Sequence, residues 1–283
     1  MKAALLAAFG SPLAVGTVPD PILGTGEVIV DVVAAPVLSY ANEVFSGARQ
    51  YLLELPLVPG AGAIGRVRAV GPDATQLIVG DWVFCDPTVR SRDDALSPDI
   101  TLQGLSARGE GGLRLQRHFR HGSFAERMMV PTENAIRLGA LDAAEAARWC
   151  ALGTLLVPYG GLLAAQVQAG ETVLISGATG TFGSAGVAVA LAMGAGCVIA
   201  PGRNEAVLAD LATPFRFARA NCHAPRRRGG RSGADAASGT RADRLRVGHP
   251  AALGEHDTGT GRHHGGAALR AGGADGRRRD AGR

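Results

Sequence analysis

Residues 171–186 read Glu-Thr-Val-Leu-Ile-Ser-Gly-Ala-Thr-Gly-Thr-Phe-Gly-Ser-Ala-Gly, and no other run constrains the fold as much. A β-branched stretch, Thr172 to Ser176, enters three glycines spaced three apart, Gly177, Gly180 and Gly183. A small-residue helical pattern follows, from Ser184 to Met193. A strand that turns through glycines onto a helix N-terminus brings free backbone N–H groups and the helix dipole up to a pyrophosphate. A second apolar run, Cys197 to Ala200, completes a βαβ pattern about twenty residues on. The run therefore predicts a parallel α/β domain that binds a dinucleotide through Gly177, Ala178, Thr179, Gly180, Thr181, Phe182 and Gly183. The alternative reading of the same residues is a tight turn that uses glycine for steric reasons alone.

The residues after the second run choose between cofactors. A carboxylate there would bind a ribose 2′-hydroxyl. This chain instead has Gly202-Arg203-Asn204. A guanidinium grips a 2′-phosphate bidentately, and no acidic side chain is at hand to repel it. Arg203 and Asn204 thus point to NADP(H), the other reading being that Arg203 only opens the next helix.

At 283 residues the chain is long enough for one or two domains. Its four cysteines, Cys85, Cys150, Cys197 and Cys222, are scattered singly. That pattern argues against a disulfide framework or a cysteine-rich zinc site and suits the reducing cytoplasm. The N-terminus reaches Gly10 and Pro12 too soon for a signal peptide. The longest apolar stretch, Ala151 to Ala165, contains Pro158 and two glycines and is too short to span a membrane. A soluble protein without membrane attachment is expected.

Before residue 150 the chain reads as short strands punctuated by Gly and Pro. Candidates are Lys2–Phe9, Glu27–Ala35, Gly62–Val70, Asp81–Cys85 and Phe124–Val130, a spacing that suits a barrel-like β domain. A helical stretch runs from Leu141 to about Gln166, with Asp142 as its cap.

In this order the parts resemble the medium-chain dehydrogenase/reductase superfamily. The words that carry the likeness are Met1-Lys2-Ala3, Pro59-Gly60 leading to Gly65-Arg66-Val67, and Val70-Gly71. They continue with Val79-Gly80-Asp81-Trp82-Val83, Gly122-Ser123-Phe124-Ala125-Glu126 and the run Gly177 to Gly183. The resemblance covers residues 1 to about 212. It implies a GroES-like β-barrel catalytic domain over 1–150 and a Rossmann domain that is incomplete over 151–212, an α/β chain overall. In the zinc-binding branch a Cys precedes a motif resembling Ser39 to Gly47, and a His-Glu pair follows the Pro-Gly. Here those places hold Leu38, Ala61 and Gly62, none of which can ligate a metal. The four-cysteine structural zinc loop is represented by Cys85 alone. His118 and His121 lie in the run Arg117 to Gly122, read as a basic, exposed loop rather than a ligand set. No metal is expected.

What remains is similar to the zinc-independent quinone oxidoreductases and enoyl reductases. The resemblance implies hydride transfer from NADPH to a small carbonyl, quinone or enone substrate. It places Tyr40 as the donor to the developing oxyanion, with Asn42 and Ser39 as helpers, against the plainer reading that Tyr40 packs at the barrel mouth. Intact relatives are expected to be homodimers, through a sheet edge that residues 1–212 do not encode.

From about Thr213 the pattern changes. Residues 1–212 carry 14 basic and 19 acidic side chains, net −5. Residues 213–283 carry 15 arginines and 6 acids, net +9, which together give +4. The later stretch contains Arg226-Arg227-Arg228 and Arg277-Arg278-Arg279. Its only large apolar side chains are Phe215, Phe217, Leu245, Val247, Leu253 and Leu269. So few cannot offset the conformational entropy of ordering 71 residues. Residues 213–283 are therefore expected to be a disordered, basic, Arg/Gly-rich tail. With 28 arginines to one lysine over the whole chain, they read as a frameshifted translation of a GC-rich gene. An impaired enzyme follows from that reading. The competing functions are a non-catalytic nucleotide-binding module and nonspecific nucleic-acid binding through the tail. The tail has no Tyr or Trp to stack on bases, and no specific nucleic-acid partner is expected.

Overall fold

The computed structural model describes residues 1–213 and 219–221. The chain divides into two compact units, Met1–Thr154 and Leu155–Arg283.

The first unit opens with an antiparallel hairpin of β1 (Lys2–Leu5) and β2 (Ala14–Thr17). Next come β3 (Glu27–Ala34), the short helix α1 (Ala41–Phe45), β4 (Ala63–Val70) and β5 (Trp82–Cys85). A small sheet of β6 (Thr88–Arg90), β7 (Ile100–Leu102) and β8 (Ser106–Ala107) leads into helix α2 (Gly109–His118). Strands β9 (Arg127–Pro131) and β10 (Ala135–Arg137) then complete a five-stranded antiparallel sheet in the order β10-β5-β4-β3-β9.

This sheet is covered on both faces, and β5 shows why its four residues are all apolar. Val83 and Cys85 enter a core with Val28, Val30, Val67, Met128 and Val130. Trp82 and Phe84 point the other way, into a second cluster with Ile64 and Ala146. Successive strand residues face opposite sides, so a strand buried on both sides reads as an unbroken apolar run. The Arg66 guanidinium lies 4.3 Å from the Trp82 ring centre and closes that side.

The helical stretch expected from Leu141 to Gln166 is interrupted. Asp142 does cap it, accepting from the Ala144 N–H at 3.0 Å, but what it caps is a single 3-10 turn over Ala143–Glu145. Helices α3 (Ala146–Trp149) and α4 (Ala151–Ala164) follow, with Pro158 inside α4.

The region expected to be a basic, exposed loop is corrected by α2. Arg117 and His118 form its last turn, where cationic side chains suit the helix dipole. Arg117 Nε donates to both Glu54 oxygens at 3.0 Å, and Arg117 Nη1 reaches Glu110 at 3.0 Å. His118 Nε2 pairs with Glu27, a buried carboxylate that also accepts from the Gly24 N–H at 2.6 Å. His121 is half-buried and accepts at Nδ1 from the Val58 N–H at 3.1 Å, which puts its own proton on Nε2. Burial, with the charge of Arg120 second, holds its basicity below the ordinary histidine range. The run looked like free charge because its partners, at 27 and 54, are distant in sequence.

The second unit is a parallel βα array. Strand β11 (Thr172–Leu174) leads to α5 (Thr181–Ala192), β12 (Cys197–Ile199) leads to α6 (Glu205–Ala212), and β13 (Arg219–Asn221) follows. The sheet order is β11-β12-β13, with both pairings parallel. Its core joins Leu162, Ala178, Val187, Ala190, Val198 and Ala200. Strand β13 corrects the expectation that regular structure ends at Thr213. An Arg-Ala-Asn strand gives no apolar signal, because what places it is backbone pairing to Cys197–Ile199. The rest of the expected disordered tail, residues 214–218 and 222–283, lies outside the described residues. Among the described residues no helix is long and apolar enough to cross a membrane.

Trp82 offers the sharpest test of the first unit's packing. Trp82→Ala is expected to lower the unfolding free energy by about 3–5 kcal/mol, read from the urea midpoint at unchanged m-value. A loss below about 1 kcal/mol would contradict the two-sided core.

Candidate functional site

The glycine run forms the turn that its spacing suggests. Gly177 has φ +69°, a backbone conformation that side chains with a Cβ rarely adopt. The Gly180 N–H closes the turn onto the Gly177 carbonyl at 2.9 Å, and Gly180 then serves as N-cap of α5. A Cβ on Gly183 would overlap the Gly177 carbonyl oxygen, so only glycine lets the first helical turn lie against the loop. The first intrahelical bond from this end is Ser184 N–H to Gly180, at 2.8 Å. Among the described residues, no backbone carbonyl accepts from the N–H groups of Thr181, Phe182 and Gly183. Three free donors at the positive end of a twelve-residue helix are what an anion needs. Gly177, Gly180, Thr181 and Phe182 are exposed and open to a ligand.

Ala178 does different work. Its methyl is fully buried in the core, and its N–H is already donated to Pro201 at 3.3 Å. Ala178 therefore ties the turn to the loop after β12. Thr179 makes the same link, since a Cβ on Gly202 would run into the Thr179 methyl. The ends of β11 and β12 are thereby brought together, with Arg203 following directly. Arg203 is exposed, and among the described residues no carboxylate pairs with it. Asn204 is the N-cap of α6, its Oδ1 accepting from the Val207 N–H at 3.2 Å. Its side-chain oxygen is thus committed to the helix, and its amide NH2 remains as a donor.

Tyr40, the expected donor, stands at the N-cap of α1, where its carbonyl accepts from the N–H groups of Glu43 and Val44 at 3.0 and 3.3 Å. Burial pushes its phenol above the ordinary value of 10.0. The neighbouring Tyr51 adds to the rise and Arg49 opposes it. Asn42 and Ser39 are exposed, and among the described residues neither side chain hydrogen-bonds to Tyr40. The structure instead brings Tyr40 together with two residues that the sequence did not single out. The Arg49 guanidinium lies 4.2 Å from the Tyr40 ring centre, and its Nη1 donates to the Tyr51 hydroxyl at 3.4 Å.

The positions matching a zinc site do not fit a metal. Leu38 and Ala61 carry no donor, and Gly62 has φ +80°. The nearest thiol, Cys85, is fully buried, and burial pushes it up to about 12, far from a thiolate ligand. Among the described residues no three His, Cys, Asp or Glu side chains gather into a metal site.

Comparison with known proteins places these observations in a family. Residues 24–140 match the alcohol dehydrogenase GroES-like domain. An alcohol dehydrogenase of Rhizobium meliloti (strain 1021) is 30% identical over 250 residues, covering 83% of this chain and 69% of that protein. The acryloyl-coenzyme A reductase of Metallosphaera sedula is 30% identical over 199 residues, covering 69% of this chain and 57% of that protein. Among solved structures, the alcohol dehydrogenase of Thermus sp. ATN1 superposes with a TM-score of 0.64 at 25% identity, covering 78% of this chain and 63% of that one. The chain thus spans between about half and two thirds of these relatives' lengths.

Because Gly183 abuts the Gly177 carbonyl, Gly183→Ala forces α5 away from the turn. Dinucleotide affinity, measured by fluorescence titration with NADPH, is expected to fall at least about tenfold, the loss of one or more charge-assisted hydrogen bonds. Unchanged affinity would show that the turn is not the phosphate site.

Proposed function

The chain belongs to the medium-chain dehydrogenase/reductase superfamily, and we propose that it is an NADP(H)-dependent, zinc-independent oxidoreductase acting on a small carbonyl, quinone or enone. The observation that carries the proposal is the union of two loops. The glycine turn and the Arg203 loop are locked by the Ala178–Pro201 hydrogen bond and the Thr179–Gly202 contact. A pyrophosphate on the N–H groups of Thr181, Phe182 and Gly183 would leave the ribose end of a dinucleotide for Arg203. A guanidinium with no competing carboxylate favours a 2′-phosphate there.

A bound nicotinamide would supply the hydride. The residues of this chain bind, orient and donate. The α5 N-terminus takes the pyrophosphate charge, and Arg203 takes the 2′-phosphate. Tyr40 donates its phenolic proton as a hydrogen bond to the substrate oxygen on which negative charge develops. Leu38, Ala61 and Gly62 leave that polarisation to side-chain donors rather than to a metal. The composition of residues 213–283 supports a turnover below that of relatives with a complete Rossmann domain.

Arg203→Ala is expected to raise the Kd for NADPH about 10- to 100-fold and leave that for NADH within about twofold, as loss of a charge-assisted hydrogen bond requires. Equal losses for both nucleotides would remove the case for NADP(H). Because Tyr40 ionises above its ordinary value, its donor form persists through neutral pH. Reduction rates are expected to show no phenol titration between about pH 6 and 9 and to fall only above about pH 10. A fall centred below pH 9 would assign the proton to another group.

A further inference from the structure

Helix α5 is built from small apolar residues, and beyond Thr181 its one side chain able to hydrogen-bond is Ser184. Serine is a poorer helix former than the alanines around it, because its hydroxyl competes for backbone groups. Inside a helix such a hydroxyl usually returns to the carbonyl three or four residues back. Here it reaches six residues back and out of the helix, Oγ donating to the Ala178 carbonyl at 2.9 Å. The side chain serves the glycine turn and not its own helix.

Ala178 is the residue on which that turn hangs. It is fully buried in the core, and its N–H donates to Pro201 at 3.3 Å. Among the described residues, the Ser184 hydroxyl is the one donor to its carbonyl. A buried carbonyl without a donor is costly, so losing the hydroxyl favours rotation of the peptide that carries it. That peptide joins Ala178 to Thr179. It is planar and trans, so a bond that fixes the carbonyl also fixes the Thr179 N–H on its opposite side. Thr179 is the residue that meets Gly202 beside Arg203, and among the described residues its N–H has no acceptor. The Ser184 N–H, meanwhile, closes onto the Gly180 carbonyl at 2.8 Å. One residue therefore holds the turn at two points, Ala178 and Gly180, immediately after the free donors of Thr181, Phe182 and Gly183.

We propose that Ser184 is a positioning residue of the anion-binding turn. Its hydroxyl locks the Ala178–Thr179 peptide, and with it the backbone path that presents the N–H groups of Thr181, Phe182 and Gly183. The proposal rests on the reading of this turn as the pyrophosphate site. Backbone donors bind an anion tightly only when they are held beforehand, because a loop that has to order on binding loses affinity. A lock supplied by the helix itself makes the turn and the start of α5 one rigid piece.

The test uses the full chain, the variants Ser184→Ala and Ser184→Thr, and calorimetric titration with three probes. Inorganic pyrophosphate reports the turn alone, adenosine 2′-monophosphate reports the Arg203 loop alone, and NADPH reports both. Ser184→Ala is expected to weaken pyrophosphate and NADPH binding about tenfold each and to leave adenosine 2′-monophosphate within about twofold, on the scale of one hydrogen bond. Ser184→Thr keeps the hydroxyl and is expected to bind all three within about threefold of the wild type. Melting temperatures are measured alongside, since the lost bond also lowers stability. Equal weakening of all three probes by Ser184→Ala would assign the residue to general packing and overturn the proposal. Wild-type pyrophosphate affinity in Ser184→Ala overturns it too, as does a loss in Ser184→Thr as large as in Ser184→Ala. The dinucleotide reading fails separately. A wild type that takes pyrophosphate but not NADPH removes that reading, while an about tenfold loss of pyrophosphate affinity in Ser184→Ala still upholds the lock. A wild type that binds no pyrophosphate overturns the lock.

Discussion

The contact between Gly183 and the carbonyl of Gly177 organises the second unit. It lets α5 begin directly above the end of β11, and so leaves three backbone donors pointing at one exposed spot. The same turn sends Ala178 into the core beside Val187, Ala190, Val198 and Ala200. Through Ala178 and Thr179 it also fixes the loop that presents Arg203. Packing and ligand approach therefore depend on the same few atoms. A side chain at position 183 would disturb the core, the glycine turn and the Arg203 loop together.

The first unit solves a different problem, that of fixing a glycine-rich helix to a sheet. Where zinc-binding relatives are expected to carry a cysteine-rich loop, this chain builds α2 and clips it to the sheet with side chains. Arg117 bridges Glu54 and Glu110, Gln116 accepts from the Glu54 N–H at 3.1 Å, and His118 meets the buried Glu27. The exposed pairs contribute little singly. Glu27 matters more, because a buried carboxylate without partners is costly. Its position at the start of β3, beside the Gly24 N–H and His118, makes α2 part of the barrel rather than an appendage.

The sequence was legible where the physics is local. Glycines three apart announced the turn because left-handed backbone and close approach exclude other residues. Strand β5 was legible because its apolar run has to cover two faces, and β3 and β4 because their β-branched residues lie between turn signals. Helix α2 was hidden by Gly109, Gly111 and Gly112, which lower helix propensity, and is held by tertiary ion pairs instead. Strands β6 to β8 are two or three residues long and show no alternation. The contacts of Arg49 with Tyr40 and Tyr51 are between side chains, and no residue pattern signals them. Asn204, expected beside Arg203 at the cofactor, is the N-cap of α6, where its oxygen accepts from the Val207 N–H.

The central claim is that the turn and the Arg203 loop together form one dinucleotide site with a preference for the 2′-phosphate. Calorimetric titration of the full chain with NADPH and, separately, NADH tests it most directly. The account predicts saturable one-to-one binding of NADPH, at least about tenfold tighter than NADH, the value of one charge-assisted contact. No heat with either nucleotide, or tighter binding of NADH, would contradict it.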